Sequence, residues 1–159
     1  ADKLKTPQQG LAEKLKLLLE ENKLLTQELK MHRQGELKRL IEKCLESKEW
    51  AGSIPLIAAT VSMSPEELNG FASDLLERLK SGVVAIGSIV GERCQLLVAV
   101  SPDFVKKNIY AQGLIKEVAP LIQGGGGGKQ NLAQAGGKDP LGLPKALDQI
   151  RHLLKEMKC

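Results

Sequence analysis

The residues in this chain best suited to chemistry are five consecutive glycines, Gly124, Gly125, Gly126, Gly127 and Gly128, with Lys129 directly behind them. A glycine run lets the backbone approach another surface closely and turn bare N–H groups toward it. Amide donors of that kind hold phosphate or ribose oxygens, and Lys129 adds a point charge beside them. The run is not a nucleoside-triphosphate loop. The pattern G-x-x-x-x-G-K-[ST] needs glycine at 123 and Ser or Thr at 130, where the chain has Gln123 and Gln130. G-x-G-x-x-G fails as well, because Gln123 and Lys129 bound the run. The other reactive groups are sparse. There are two histidines, His32 and His152, in no metal-ligand spacing. A nucleophile-histidine set would have to recruit one of them from a distance. His152 reads as a surface residue on a basic helix face. Cys44, Cys94 and Cys159 are far apart with no C-x-x-C, the pattern of a reduced, cytoplasmic chain without a disulfide frame. A self-contained enzyme is not expected.

The elements around the glycines decide how to read them. Five glycines alone would be a flexible linker. Here an apolar helix precedes them over about 111–122, with Leu114, Ile115, Val118, Leu121 and Ile122 on one face and Pro120 shortening its last turn. A short strand, Leu132 to Ala135, follows and ends at Gly136-Gly137. The run is therefore expected to be a structured loop. Upstream, Ile54 to Val61 reads as a strand. Ser64-Pro65-Glu66-Glu67 opens a helix, with Ser64 as N-cap, Pro65 at N1 and Glu67 completing a capping box. Leu68, Phe71, Leu75, Leu76 and Leu79 form its apolar stripe, and Gly82 is expected as its left-handed cap. Val83 to Ile89 and Cys94 to Val100 read as a hairpin turning at Gly91-Glu92-Arg93. A final helix starts near Pro144, with Leu147, Ile150, Leu153, Leu154 and Met157 on its face.

Before these elements lies a helical arm. Leu11, Leu15, Leu18, Asn22, Leu25, Leu29 and His32 recur with alternating spacings of four and three, the a/d seam of a coiled coil. Asn at an a position favours paired, in-register helices. The same stripe would also suit packing on the chain's own next helix. Gly35 is expected to interrupt the pattern, with a second helix over about 36–51. The reading is α+β: residues 1–51 form a helical arm, as a hairpin or a coiled coil, and residues 52–159 a globular domain. Its order β-α-β-β-α-β predicts a split βαβ-like, four-stranded sheet packed by helices.

Composition agrees with a folded chain that touches a polyanion. Hydrophobic residues make up 42%, enough for a core, while aromatics are only 3%, which argues against single-strand binding by stacked bases. Net charge is +4 but uneven: +3 over residues 1–48, −4 over 49–103 and +5 over 104–159. The glycines lie in the basic third. The start at Ala1 rather than Met suggests a trimmed piece, no signal peptide is read, and no apolar run is long enough to cross a bilayer.

Gly124 to Gly137, GGGGGKQNLAQAGG, resembles the GGGGG-x-x-x-x-AQAGG signature of the alanyl-tRNA synthetase family, in its C-terminal, DHH-associated domain. The flanks Gly113 to Ala119 and Leu143 to Leu147 agree. Leu4-Lys5-Thr6-Pro7 and Leu17 to Lys23 resemble the segment that follows that family's editing domain. The resemblance implies a non-catalytic, cytoplasmic piece that grips the elbow of tRNA, alanine-specific in the parent. It also implies homodimers through the arm and no membrane. The parent would use ATP with magnesium, and zinc in an editing domain; this piece would hold no cofactor. The implied RNA contacts are Gly124 to Gly128, Lys129, Gln134, Gly136 and Gly137, with Lys106, Lys107 and Lys138 on phosphates. The implied pairing contacts are Leu11, Leu15, Leu18, Asn22, Leu25 and Leu29. Two alternatives are a purely structural dimerisation module and a fragment related to DHH-type oligonucleotide phosphodiesterases. The latter carry a GGGH motif; Gly127, Gly128 or Lys129 stands where that histidine would fall, which favours the synthetase branch.

Overall fold

The computed structural model describes residues 8–157, which divide into two compact units between Leu40 and Ile41. The Leu4-Lys5-Thr6-Pro7 stretch and Cys159 lie outside the described residues. Helix α1, Gln8–Glu46, runs unbroken through Gly35. The interruption expected there, and with it a helical hairpin, does not form. An interior glycine costs about 1 kcal/mol relative to alanine. Glu36, Leu37, Lys38 and Arg39 behind it are good helix formers, so the local loss is outweighed. Leu15, Leu18, Leu25 and Leu29 are 54–65% exposed, Asn22 is exposed and Leu11 is half-buried.

The helix stops at Glu46, short of the expected 51. Residues Glu49–Ala51 instead form strand β1, antiparallel to β2 (Ile54–Val61). Helix α2 (Pro65–Leu79) follows, with Ser64 as N-cap. The Glu67 N–H donates to Ser64 Oγ at 3.4 Å and the Ser64 N–H donates to Glu67 Oε2 at 3.2 Å, the reciprocal capping box. At its other end the cap residue is Lys80, with a positive φ of 65°, and not the left-handed cap expected at Gly82. Gly82 is needed for a different reason: a Cβ there would lie 2.5 Å from the Pro55 carbonyl oxygen.

Strands β3 (Val83–Val90) and β4 (Arg93–Val100) pair through a two-residue turn, with Gly91 at φ 62°. The short helix α3 (Pro102–Val105) and helix α4 (Ala111–Val118) come next, and a 3-10 turn, Ala119–Ile122, closes the segment around Pro120. Strands β5 (Gly124–Gly128) and β6 (Leu132–Gly137), a 3-10 turn at Pro140–Gly142 and helix α5 (Leu143–Glu156) complete the chain.

The α+β class holds, but the sheet has six strands, in the order β1-β2-β3-β4-β6-β5. Residues 49–51 and the glycine run each add an edge that pattern reading does not register as strand. Nor is the βαβ unit split. Strands β2 and β3 lie side by side and parallel, while every other neighbouring pair is antiparallel. The tight turn at Gly91 places β4 on the far side of β3, so no strand enters between β2 and β3. Val83 to Ser88 are buried on both faces, as a central strand requires.

Helix α2 packs Leu68, Phe71 and Leu75 on one face of the sheet, against β3 and β4. Helices α4 and α5 pack Leu114, Ile115, Val118, Leu147, Ile150 and Leu154 on the other, over Leu56, Ala85, Leu96, Val98, Ala133 and Ala135. Each such aliphatic side chain contributes about 1.5–3 kcal/mol on full burial. Arg151 of α5 pairs with Glu49 of β1 at 2.7 Å and with Asp148, which ties the short edge strand down.

Candidate functional site

The five glycines form neither a loop nor a linker. They are an edge strand, paired antiparallel with β6 from Gly124↔Gly137 to Gly128↔Ala133. Glycine is a poor strand former, so the pairing must be enforced from outside the run, and both ends are held. At the turn end the Lys129 N–H donates to the Leu132 carbonyl at 2.8 Å. There the Gln130 and Asn131 carbonyls accept from the Ala111 and Val100 N–H groups at 2.7 and 2.8 Å. At the other end Gln123 takes a left-handed φ of 51°, and the Lys138 and Asp139 N–H groups both donate to the Ile122 carbonyl at 3.1 Å. Clamped this way, the run loses its chain entropy as part of the domain fold.

The glycines fall into two sets with different reasons to lack a side chain. Gly124, Gly126 and Gly128 have no room for one. At Gly126 a Cβ would lie 2.5 Å from both the Gln134 oxygen and Ala135 Cβ. Gly125, Gly127 and Gly136 have nothing within 4 Å of where a Cβ would stand. Nothing within the fold demands glycine at these three positions.

Strand register places that second set on one face. One row across the sheet runs Ser88–Gln95–Gly136–Gly125, and the row beside it runs Ile86–Leu97–Gln134–Gly127. Ile86 and Leu97 are fully buried on the side that α2 covers, while Gln134 is exposed. The cover stops at β4. Beyond it β6 and β5 present exposed Gln134, Gly136 and Gly125, with half-buried Gly127 on the same side. A groove of about 630 Å³ opens at the Gly125–Gly136 end, and Arg93, Gln95, Gln123 and Lys138 border it.

Of the basic residues expected near the glycines, Lys129 and Lys138 flank the β5–β6 pair at opposite ends. Lys129 is exposed at the β5–β6 turn. Lys106 and Lys107 are exposed on the 101–111 segment tied to that turn, with Lys107 Nζ 5.0 Å over the Phe104 ring. Lys138 lies at the opposite end, beside the groove. Arg93, Gln95 and Gln123 were not singled out from the sequence. Gln95 alternates with buried Cys94 and Leu96, so its outward position is a readable signal. That Arg93 and Gln123 join it emerges only from the strand pairing.

Among the described residues, the titratable groups do not assemble a reactive centre on this face. Cys94 points to the opposite side, and its thiol donates to the Asp139 carbonyl at 3.3 Å. Burial pushes that thiol's pKa up, and the charge of Asp139 adds to the rise, so it stays protonated at neutral pH. Cys44 is raised by burial in the same way. His32 and His152 are exposed on α1 and α5. No described helix is long and apolar enough to cross a membrane.

Comparison with known proteins bears on this arrangement. Residues 53–156 match the DHHA1 domain family. The alanine–tRNA ligase of Desulforamulus reducens is 34% identical over 156 residues, covering 98% of this chain and 18% of that protein. The chain thus spans less than a fifth of that relative's length. The crystal structure of the C-Ala domain from Aquifex aeolicus alanyl-tRNA synthetase is 34% identical, with a TM-score of 0.64 over 68% of this chain and 97% of that one. RecJ from Thermus thermophilus, at 16% identity, is similar in fold, with a TM-score of 0.57 over 80% of this chain and 19% of that one.

Proposed function

The chain belongs to the DHHA1 domain family, as the C-terminal region of an alanyl-tRNA synthetase, and on that premise we propose that it is a non-catalytic module that binds tRNA and pairs the protein into dimers. One observation supports the RNA half above all others. Gly125, Gly127 and Gly136 lack side chains without any steric need inside the domain, and they share one uncovered face with Gln134. Each such glycine destabilises a strand by roughly 0.5–1 kcal/mol relative to alanine. A fold that keeps three of them on one face is shaped for something outside it to come close. Lys129 at one end of the face and Lys138 at the other, with Lys106 and Lys107 on the segment tied to the Lys129 turn, suit a polyanion that runs along it.

In this reading the open face lies against the outer corner of folded tRNA. Lysines contact phosphates and set position, while the bare backbone accepts the RNA surface at close range. The partner is the alanine-specific tRNA of a cytoplasmic alanine–tRNA ligase. The module keeps that tRNA in reach of separate aminoacylation and editing domains. ATP, magnesium and zinc belong to those domains and not to this one.

Helix α1 supports the second half. Leu15, Leu18, Leu25 and Leu29 are all more than half exposed at heptad spacing, with Asn22 among them. Apolar stripes of that kind are normally covered by another helix.

Fluorescence anisotropy with labelled tRNA across a salt series tests the RNA reading. The expected plot of log Kobs against log[salt] falls with a slope of about −2 to −4, for two to four phosphate contacts. Binding to duplex RNA of equal length is expected to be weaker by at least tenfold. A flat plot, or equal affinity for duplex and tRNA, would reject it.

A further inference from the structure

We propose that the groove at the Gly125–Gly136 end of the open face receives one nucleotide of the bound RNA, its base lying flat on a shelf of peptide backbone. This rests on the RNA-binding reading and goes further, because it adds Arg93, Gln95 and Gln123, outside the glycine signature, to form a base-reading site. The shelf follows from the register. Gln95, Gly136 and Gly125 are consecutive cross-strand partners on β4, β6 and β5. At about 4.8 Å between strands, Gln95 and Gly125 lie roughly 10 Å apart, so a base resting on the bare Gly136 and Gly125 meets the Gln95 side chain at its edge. Two of the three positions carry no side chain, and a Cβ at either would project into open space. The shelf is kept flat and empty by sequence rather than by packing.

The walls match the parts of a nucleotide. Gln95 and Gln123 are neutral amides, each with donors and an acceptor, able to meet the mixed edge of a base. Arg93 and Lys138 supply cations for the phosphate. The lining includes neither Asp nor Glu, so nothing there repels an anion. Exposed Val90 and Pro65 complete the border with apolar surface. A volume of about 630 Å³ lies within the range of sites that take small organic groups. A base inside continuous duplex is stacked on both sides and offers no free face. Only a nucleotide splayed from a loop or corner enters such a slot, so the groove would add a preference for folded RNA over duplex.

The test compares tRNA binding by Gln95→Ala, Gly136→Val and Arg93→Gln with that of the unchanged chain, and follows thermal unfolding of each. Gly136→Val fills the shelf at a position where the fold has room. It is expected to lower tRNA affinity about tenfold with its melting temperature kept and its salt slope unchanged. Arg93→Gln is expected to make the slope shallower by about one. Base-specific chemical probing should show one nucleotide protected in the unchanged complex and reactive in the Gln95→Ala complex. Lys145→Ala, on exposed α5 surface, serves as the control and should bind normally. If the unchanged chain prefers tRNA but Gly136→Val and Gln95→Ala stay within twofold of it, the groove assignment falls and the RNA reading stands. If the unchanged chain shows no preference for tRNA, both fall together.

Discussion

Gly126 and Gly127 are neighbours under opposite constraints. At Gly126 a methyl group would collide with the backbone of β6, 2.5 Å from the Gln134 oxygen. At Gly127 it would meet nothing within 4 Å. Overpacking a fixed contact costs about 1–3 kcal/mol. Gly126→Ala is therefore expected to lower the melting temperature by several degrees, whereas Gly127→Ala keeps it or raises it slightly by stiffening the unfolded chain. Affinity should divide the other way for the stable variant: Gly127→Ala remains folded yet binds tRNA several-fold more weakly. Calorimetry and anisotropy on the same samples check both. Equal melting losses for the two variants would remove the distinction on which the site is built.

Among the elements, α2 decides where the open face begins. It covers β3 and β4 and leaves β6 and β5 bare on its side of the sheet. Its start is set by the reciprocal bonds between Ser64 and Glu67, and the loop before it is pinned by Ser88, whose hydroxyl donates to the Met63 carbonyl at 2.6 Å. Losing a side-chain cap costs about 1 kcal/mol. Ser64→Ala should lower the urea midpoint by that equivalent with the slope of the transition unchanged. An unaltered midpoint would mean that the cap contributes nothing measurable to the helix. These local devices were legible in the sequence because capping and turn formation involve residues three or four apart. The continuity of α1 through Gly35 was not, because a single glycine shifts helix stability too little to break a run of good formers. Strand β5 was not legible either, because glycine signals no strand; its form comes from β6 and from clamps at Ile122, Val100 and Ala111.

For the whole molecule, the consequence of α1 is its stoichiometry. Leu17, Leu19, Leu24 and Met31 are exposed as well as the heptad leucines, more apolar surface than a monomer ordinarily leaves in water. Sedimentation equilibrium is expected to give a dimer for the unchanged chain. Leu18→Glu should give a monomer at the same concentration, since two carboxylates would then meet in a packed seam. A monomeric unchanged chain, or a Leu18→Glu dimer of equal strength, would rule out pairing through this helix.

By itself the sequence determined the family, the capped helix, the central hairpin and the stripe on α1, all features encoded over short spans or in one contiguous signature. Tertiary structure alone decided that the five-glycine run is a strand, that within the signature Gly125, Gly127 and Gly136 have room for a side chain while Gly124, Gly126, Gly128 and Gly137 do not, and that Arg93, Gln95 and Gln123 join them. The reason is physical: strand pairing brings residues dozens of positions apart into one row, and alternation then assigns each to a covered or an open face. Neither the pairing partner nor the extent of the covering helix is written in the residues that end up side by side.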